Sequence, residues 1–243
     1  MRVGRWRAWL VLLIGMMAVA ALPSRGAAYE VLAVPDGGAL KGKVVYRGDV
    51  PLRKIVPTKD REVCGAIREE PEVVTAADRG VLDAVVYLKK VGKGKAWEKP
   101  ARPPELVNTG CVFVPRVQVL PVGSNVTIVN ADPVMHNTHS FLDKATIFNI
   151  ALPIKGQRVE RPLKRAGMVR VECDAHGWML AWIDVADSPY HAVTGKDGAF
   201  RISEVPPGSY TLVAWHEFTG EVEIPVAVKP KETVQVAVEL KRK

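Results

Sequence analysis

The sequence predicts an all-β protein built as β-sandwiches. Two observations carry that expectation: short runs rich in β-branched residues recur with turn residues about every ten positions, and helical periodicity is scarce. A third is composition. The 243-residue chain is 48% hydrophobic and 25% charged, which fits a folded protein and excludes a disordered or collagen-like one. Three cysteines are too few for a disulfide-dense miniprotein.

The N-terminus reads as a secretory signal peptide, residues 1–28. Arg2, Arg5 and Arg7 precede an apolar run from Ala8 to Leu22, and small residues follow up to Ala28. The run is short for a membrane span, which takes about 20 residues; an uncleaved anchor is the alternative. The leader carries four Arg and no acid, so its removal takes the net charge from +8 to +4. That mild bias demands no nucleic acid. Export places the chain in a bacterial periplasm or outside the cell, with no stable membrane insertion after cleavage.

Residues 29–104 form an N-terminal β-rich segment. Leu40 to Arg47 and Asp83 to Lys89 read as strands, separated by a Pro- and charge-rich stretch, Pro51 to Gly80, that holds Cys64. Trp97 to Glu105 reads as an extended linker. Residues 105–187 then form a first sandwich. Its strands run through Val112 to Val119, Asn125 to Asn130, Met168 to Cys173 and Ala181 to Val185. In the third of these, Val169, Val171 and Cys173 share one face, opposite Arg170 and Glu172. Residues 188–243 form a smaller sandwich, with turns at Thr194–Gly198 and Pro206–Gly208. Turns this close together suggest antiparallel pairing.

The chemistry concentrates in Cys173-Asp174-Ala175-His176-Gly177-Trp178-Met179 and in Pro133-Val134-Met135-His136-Asn137. Two imidazoles, a thiolate and a weak thioether are the ligand types of a blue-copper centre. Soft donors suit Cu(I), and imidazole nitrogens suit Cu(II). Three candidates on one turn can converge on an ion, and His136 would supply the fourth from a separate strand end. Singly, each side chain has a bland role: a buried small thiol, a core thioether, a hydrogen-bonded ring. A zinc site is disfavoured because the usual paired-Cys spacing is absent.

The Cys-x₂-His-x₂-Met loop, preceded by Pro-x-x-His-Asn-x-His, resembles the cupredoxins, with amicyanin the nearest likeness in loop length. The resemblance covers roughly Glu105 to Asp187 and implies a cupredoxin Greek-key β-sandwich. It also implies one copper ion held by His136, Cys173, His176 and Met179. Asn137 would support the ligand strand and donate its backbone N–H to the Cys sulfur. Gly177 stands where the family usually has Pro, which implies a softer loop. The chain beyond the loop resembles secreted bacterial proteins that join a cupredoxin-like domain to a carboxypeptidase-regulatory-like (transthyretin-like) module, some of them methylamine-utilisation proteins. Leu40 to Arg47 resembles that module's opening strand and is expected to pair within it.

The resemblance implies a one-electron carrier rather than an enzyme. Electrons would leave through His176, the more exposed imidazole. Pro133, Met135 and Trp178 would form a small docking patch for a c-type cytochrome or a periplasmic oxidoreductase. Alternatives are a copper carrier or sensor, and a structural or adhesive protein with a vestigial site. His139 is expected to face away from the metal. Cys64 and Cys111 are expected to pair; two separate buried thiols are the alternative. No nucleophile elbow, Walker motif or dinucleotide fingerprint is present.

Overall fold

The computed structural model describes residues 29–242. The signal peptide expected at residues 1–28 lies outside the described residues. The described chain is all-β apart from one short helix, Arg61–Cys64.

Residues 105–186 build a two-sheet sandwich. One sheet orders Arg158–Pro162, Asn125–Asn130, Glu105–Thr109 and Val112–Val114. The other orders Ala145–Leu152, His136–Leu142, Gly167–Glu172, Leu180–Ala186 and Val117–Pro121. Period-two patterning explains the core. Val169 and Val171 are buried while Arg170 and Glu172 stay half-exposed, and Val126 and Ile128 point inward from their strand. The valine-rich run from Val112 to Val119 is not one strand. It breaks at Pro115-Arg116, where the chain passes from one sheet to the other.

A second sandwich has a four-stranded sheet of His191–Val193, Val85–Leu88, Gly208–His216 and Gly220–Val228. It faces a three-stranded sheet of Ala199–Val205, Gly38–Tyr46 and Thr233–Leu240. Val44 lies opposite Val238 and Tyr46 opposite Leu240, so the N-terminal strand is central to this sheet. A second upstream strand, Val85–Leu88, sits between His191–Val193 and Gly208–His216. Sequence reasoning did not place it there. Val85 and Val86 are both fully buried, as an inner strand covered on both faces requires. Gly42 is required by close approach: a Cβ there would lie 2.0 Å from the Val236 carbonyl oxygen.

Pairing is mixed rather than antiparallel throughout. Asn125–Asn130 runs parallel to Glu105–Thr109, Leu180–Ala186 to Val117–Pro121, and Gly38–Tyr46 to Thr233–Leu240. Strand spacing along a chain reports turns between neighbours, whereas these partners meet through long crossovers that leave no periodic signal. The two sandwiches touch through Glu217, which accepts hydrogen bonds from Arg116 and from Trp182 Nε1, and through the Trp182–Trp215 edge contact.

The Pro51–Gly80 excursion contains a hairpin of Leu52–Ile55 with Arg68–Pro71 and the short helix between them. A disulfide joins Cys64 of that helix to Cys111 on the first sandwich. Cys111 occupies the two-residue turn Gly110-Cys111 between Glu105–Thr109 and Val112–Val114, with φ of 58° and 56°. Positive φ at both central residues matches the right-handed twist of a tight hairpin.

Candidate metal centre

Two loops at one end of the first sandwich carry the site. The first leads into His136. Asn130 fixes it by donating to the carbonyls of Val134 (2.9 Å) and Leu152 (2.8 Å), while accepting from the Asp132 N–H (3.0 Å). The second runs from Cys173 to Met179. The His176 N–H bonds the Cys173 carbonyl (3.1 Å) and the Met179 N–H bonds the His176 carbonyl (2.9 Å). Asn137 ties the loops together: its Oδ1 accepts from the Ala175 N–H (3.2 Å) and its Nδ2 donates to Asp174 (2.7 Å).

His136, Cys173 and His176 converge. Cys173 Sγ lies 3.9 Å from His136 Nδ1 and 3.6 Å from His176 Nδ1, and all three donor atoms fall within 4.8 Å of one another. The ring centroids are 4.7 Å apart. Both imidazoles are fully buried, and Cys173 is the cysteine left free by the disulfide. Met179 is buried in the same core cluster as Cys173.

The opposite ring nitrogens are also engaged. His136 Nε2 meets Asp132 Oδ2 at 2.8 Å, and His176 Nε2 meets Asp60 Oδ2 at 2.9 Å. An ionised carboxylate can only accept, so each Nε2 carries the proton and each Nδ1 turns a lone pair toward the sulfur. Burial lowers the His136 pKa, and the Asp132 carboxylate only partly offsets it, so the ring stays neutral. Burial also pushes the Cys173 thiol up, opposed by backbone N–H groups of Asn137, His176 and Ala175 that aim at the sulfur. For Asp132, burial works to raise the carboxyl. The Cys111 and Gly110 N–H groups (3.0 and 2.7 Å) and His136 outweigh that and hold it below the usual carboxylate range.

A cation fits this arrangement. Two ring nitrogens and a sulfur face one another in the interior, and in the metal-free protein the Cys173 S–H is the one proton they share. An ion with metal–sulfur and metal–nitrogen bonds of about 2.3 and 2.0 Å, set ~110–120° apart, spaces S and N by about 3.5–3.8 Å. Carboxylate partners on the outer nitrogens are the usual support for metal-bound imidazoles. The sulfurs of Cys64 and Cys111 also lie within 4.8 Å of a His176 ring nitrogen, but their mutual bond removes them as thiolate donors.

Other candidates fall elsewhere. His139 faces away, its Nδ1 at Asp174 (3.1 Å) and Nε2 at Thr146 (3.0 Å). Pro133 and Met135 lie exposed on the first loop. Trp178 lies on the second loop. It is half-buried, edge-on to His176 (5.2 Å), and donates Nε1–H to the Cys111 carbonyl (3.2 Å). The expectation of an exposed His176 is overturned. Its exposure is 0%, because the excursion lays Asp60 against the imidazole edge.

Asp132 and Asp60 are the residues of the candidate site that sequence reasoning missed. Asp132 lies four residues before His136, directly ahead of Pro133. Asp60 is 116 positions from His176, and only its neighbour Cys64 hinted that this segment reaches the site.

No protein-family model matches the chain, and a search of curated proteins finds no match. Solved structures do show similarity. A purple cupredoxin from Nitrosopumilus maritimus is 27% identical over 34% of this chain and 99% of its own, with a TM-score of 0.31. A Cu-containing nitrite reductase from Thermus scotoductus is 25% identical over 38% of this chain and 24% of its own, TM-score 0.31. Amicyanin from Paracoccus versutus is 17% identical over 37% of this chain and 86% of its own, TM-score 0.33.

Proposed function

We propose that this protein is an exported copper protein that passes single electrons, with one ion held by His136, Cys173 and His176 and weakly by Met179. One observation carries the reading: two buried imidazoles present Nδ1 to a buried free thiol at 3.6 and 3.9 Å, each with its Nε2 held by a carboxylate. Bound copper supplies one-electron exchange between Cu(II) and Cu(I). The chain's residues do the rest. Asp132 and Asp60 fix the tautomers, Asn137 holds the two loops at a constant separation, and the surrounding core excludes water. Donors fixed in this way move little between oxidation states.

The reading assigns no substrate turnover. Its partner class is a redox protein such as a c-type cytochrome or a periplasmic oxidoreductase. The second sandwich fits a carboxypeptidase-regulatory-like spacing unit. Burial of His176 favours a second reading, a copper-holding protein without electron transfer, because the imidazole edge is closed.

Copper-loaded protein decides between them. An intense visible band, a narrow copper hyperfine splitting in EPR and reversible voltammetry support the electron carrier. Bound copper without colour or reversible redox supports the holding protein. Absence of copper uptake defeats both. Cys173→Ser is expected to abolish the colour, and a band that survives it refutes the ligand assignment.

A further inference from the structure

The excursion is placed where a cap belongs. Asp60 opens the helix Arg61–Cys64 with φ 52° and ψ 36°, the left-handed region, and its carbonyl accepts from the Val63 and Cys64 N–H groups. An Asp at a helix start ordinarily folds its side chain back onto the first N–H groups. Here the side chain caps nothing and reaches His176 Nε2 instead. Four residues on, Cys64 is bonded to Cys111, whose own N–H is held by Asp132.

A ring of contacts results: Asp132 on His136, both histidines on Cys173, Asp60 on His176, and the disulfide returning from Cys64 to Cys111 beside Asp132. The segment is braced internally. Arg68 bonds the Cys64 carbonyl (3.2 Å) and Glu70 (2.8 Å), Arg53 bonds Glu70 (3.0 Å), and Arg61 bonds the Pro57 carbonyl (2.9 Å). Asp60 itself stays partly open to water, while His176 behind it is sealed.

We infer that residues 51–80 form a disulfide-latched cap over the metal centre, with Asp60 as its positioning residue. Asp60 accepts the Nε2 proton of His176, which keeps the Nδ1 lone pair free and turned toward Cys173. The same contact closes the imidazole edge to solvent and to a docking partner. The metal part of this inference rests on the copper reading above; the cap itself does not.

Metal-free protein tests the cap. With the disulfide intact, Cys173 is the sole thiol that iodoacetamide can alkylate. The Cys64→Ser/Cys111→Ser protein is expected to react at Cys173 about tenfold faster than the wild type. Equal rates overturn the latch. Asp60→Ala keeps the disulfide and serves if the double variant does not fold. Nitrogen NMR is expected to show His176 protonated at Nε2 in the wild type and in Asp60→Asn, whose amide oxygen still accepts. Asp60→Ala is expected to lose that preference. An unchanged tautomer in Asp60→Ala overturns the positioning role. In copper-loaded protein, transfer to a chelator is expected to be about 10–100-fold faster for Asp60→Ala. A wild type that takes up no copper refutes the copper reading, while alkylation and NMR still decide the cap.

Discussion

Asp132 Oδ2 and His136 Nε2 lie 2.8 Å apart, and the same carboxylate receives the N–H groups of Gly110 and Cys111. One side chain thus supports a candidate ligand and holds the turn that bears the disulfide.

Replacing Asp132 with Ala therefore injures both. It leaves two backbone N–H groups of the Gly110-Cys111 turn without their acceptor, a cost of about 1–3 kcal/mol for each one left unsatisfied. Copper affinity is expected to fall about 10–100-fold as His136 loses its tautomer control. Denaturant unfolding and copper titration read the two effects separately. Asp132→Asn, which retains an acceptor oxygen, is expected to be milder on both.

Met179→Leu separates packing from coordination. The volumes are close, so the stability loss is expected to stay below about 1.5 kcal/mol. Under the copper reading the colour persists while the reduction potential shifts, because the weak axial donor is one of the groups that set it. Voltammetry checks this, and an unchanged potential removes Met179 from the ligand set.

Acid should destabilise the second sandwich. Burial lowers the His216 pKa from 6.5 to about 4; Glu217 works against the shift and Arg116 adds to it. Its Nδ1 accepts the Phe218 N–H at 3.2 Å, which requires a neutral ring. Between these two pKa values the unfolded chain binds the proton and the folded chain does not. Stability is therefore intact above pH 6.5 and falls as pH drops toward 4, by on the order of 3 kcal/mol in all. Urea midpoints across this range are expected to show the fall, and His216→Gln is expected to flatten it.

A fragment spanning residues 188–243 is expected to remain unfolded. It lacks Gly38–Tyr46 and Val85–Leu88, each an inner strand of its sheet. Its removal from them would expose Leu212, Val238 and Leu240, all fully buried in the whole protein. Circular dichroism and proton NMR dispersion decide the point; a folded fragment contradicts the pairing.

Much of the fold was legible because its signals are local. Alternation placed Val169, Val171 and Cys173 on one inward face, and three-residue spacing brought Cys173 and His176 together on one turn. Val44 was recognisable as part of the second sandwich through its strand's likeness to that module. What stayed hidden depends on encounters between distant segments. Val85–Leu88 carries no mark of which sheet it enters, and parallel partners are joined by connections too long to show a period. Asp60 looked like one acid in a charged stretch, since its meaning comes entirely from a ring 116 positions away. The expectation of an open His176 failed for the same reason: the local loop said nothing about what would lie over it.

The pairing of Ala39 with Thr233 sets an order of assembly. As a nascent chain emerges, the first sandwich has all its strands once residue 186 is out, and both halves of the disulfide have already appeared. The strand at Gly38–Tyr46 must wait, one edge unpaired, until Thr233–Leu240 has emerged. The donor cluster can thus be gathered and covered before the supporting sandwich closes, so late truncations should strand an aggregation-prone edge while sparing the centre.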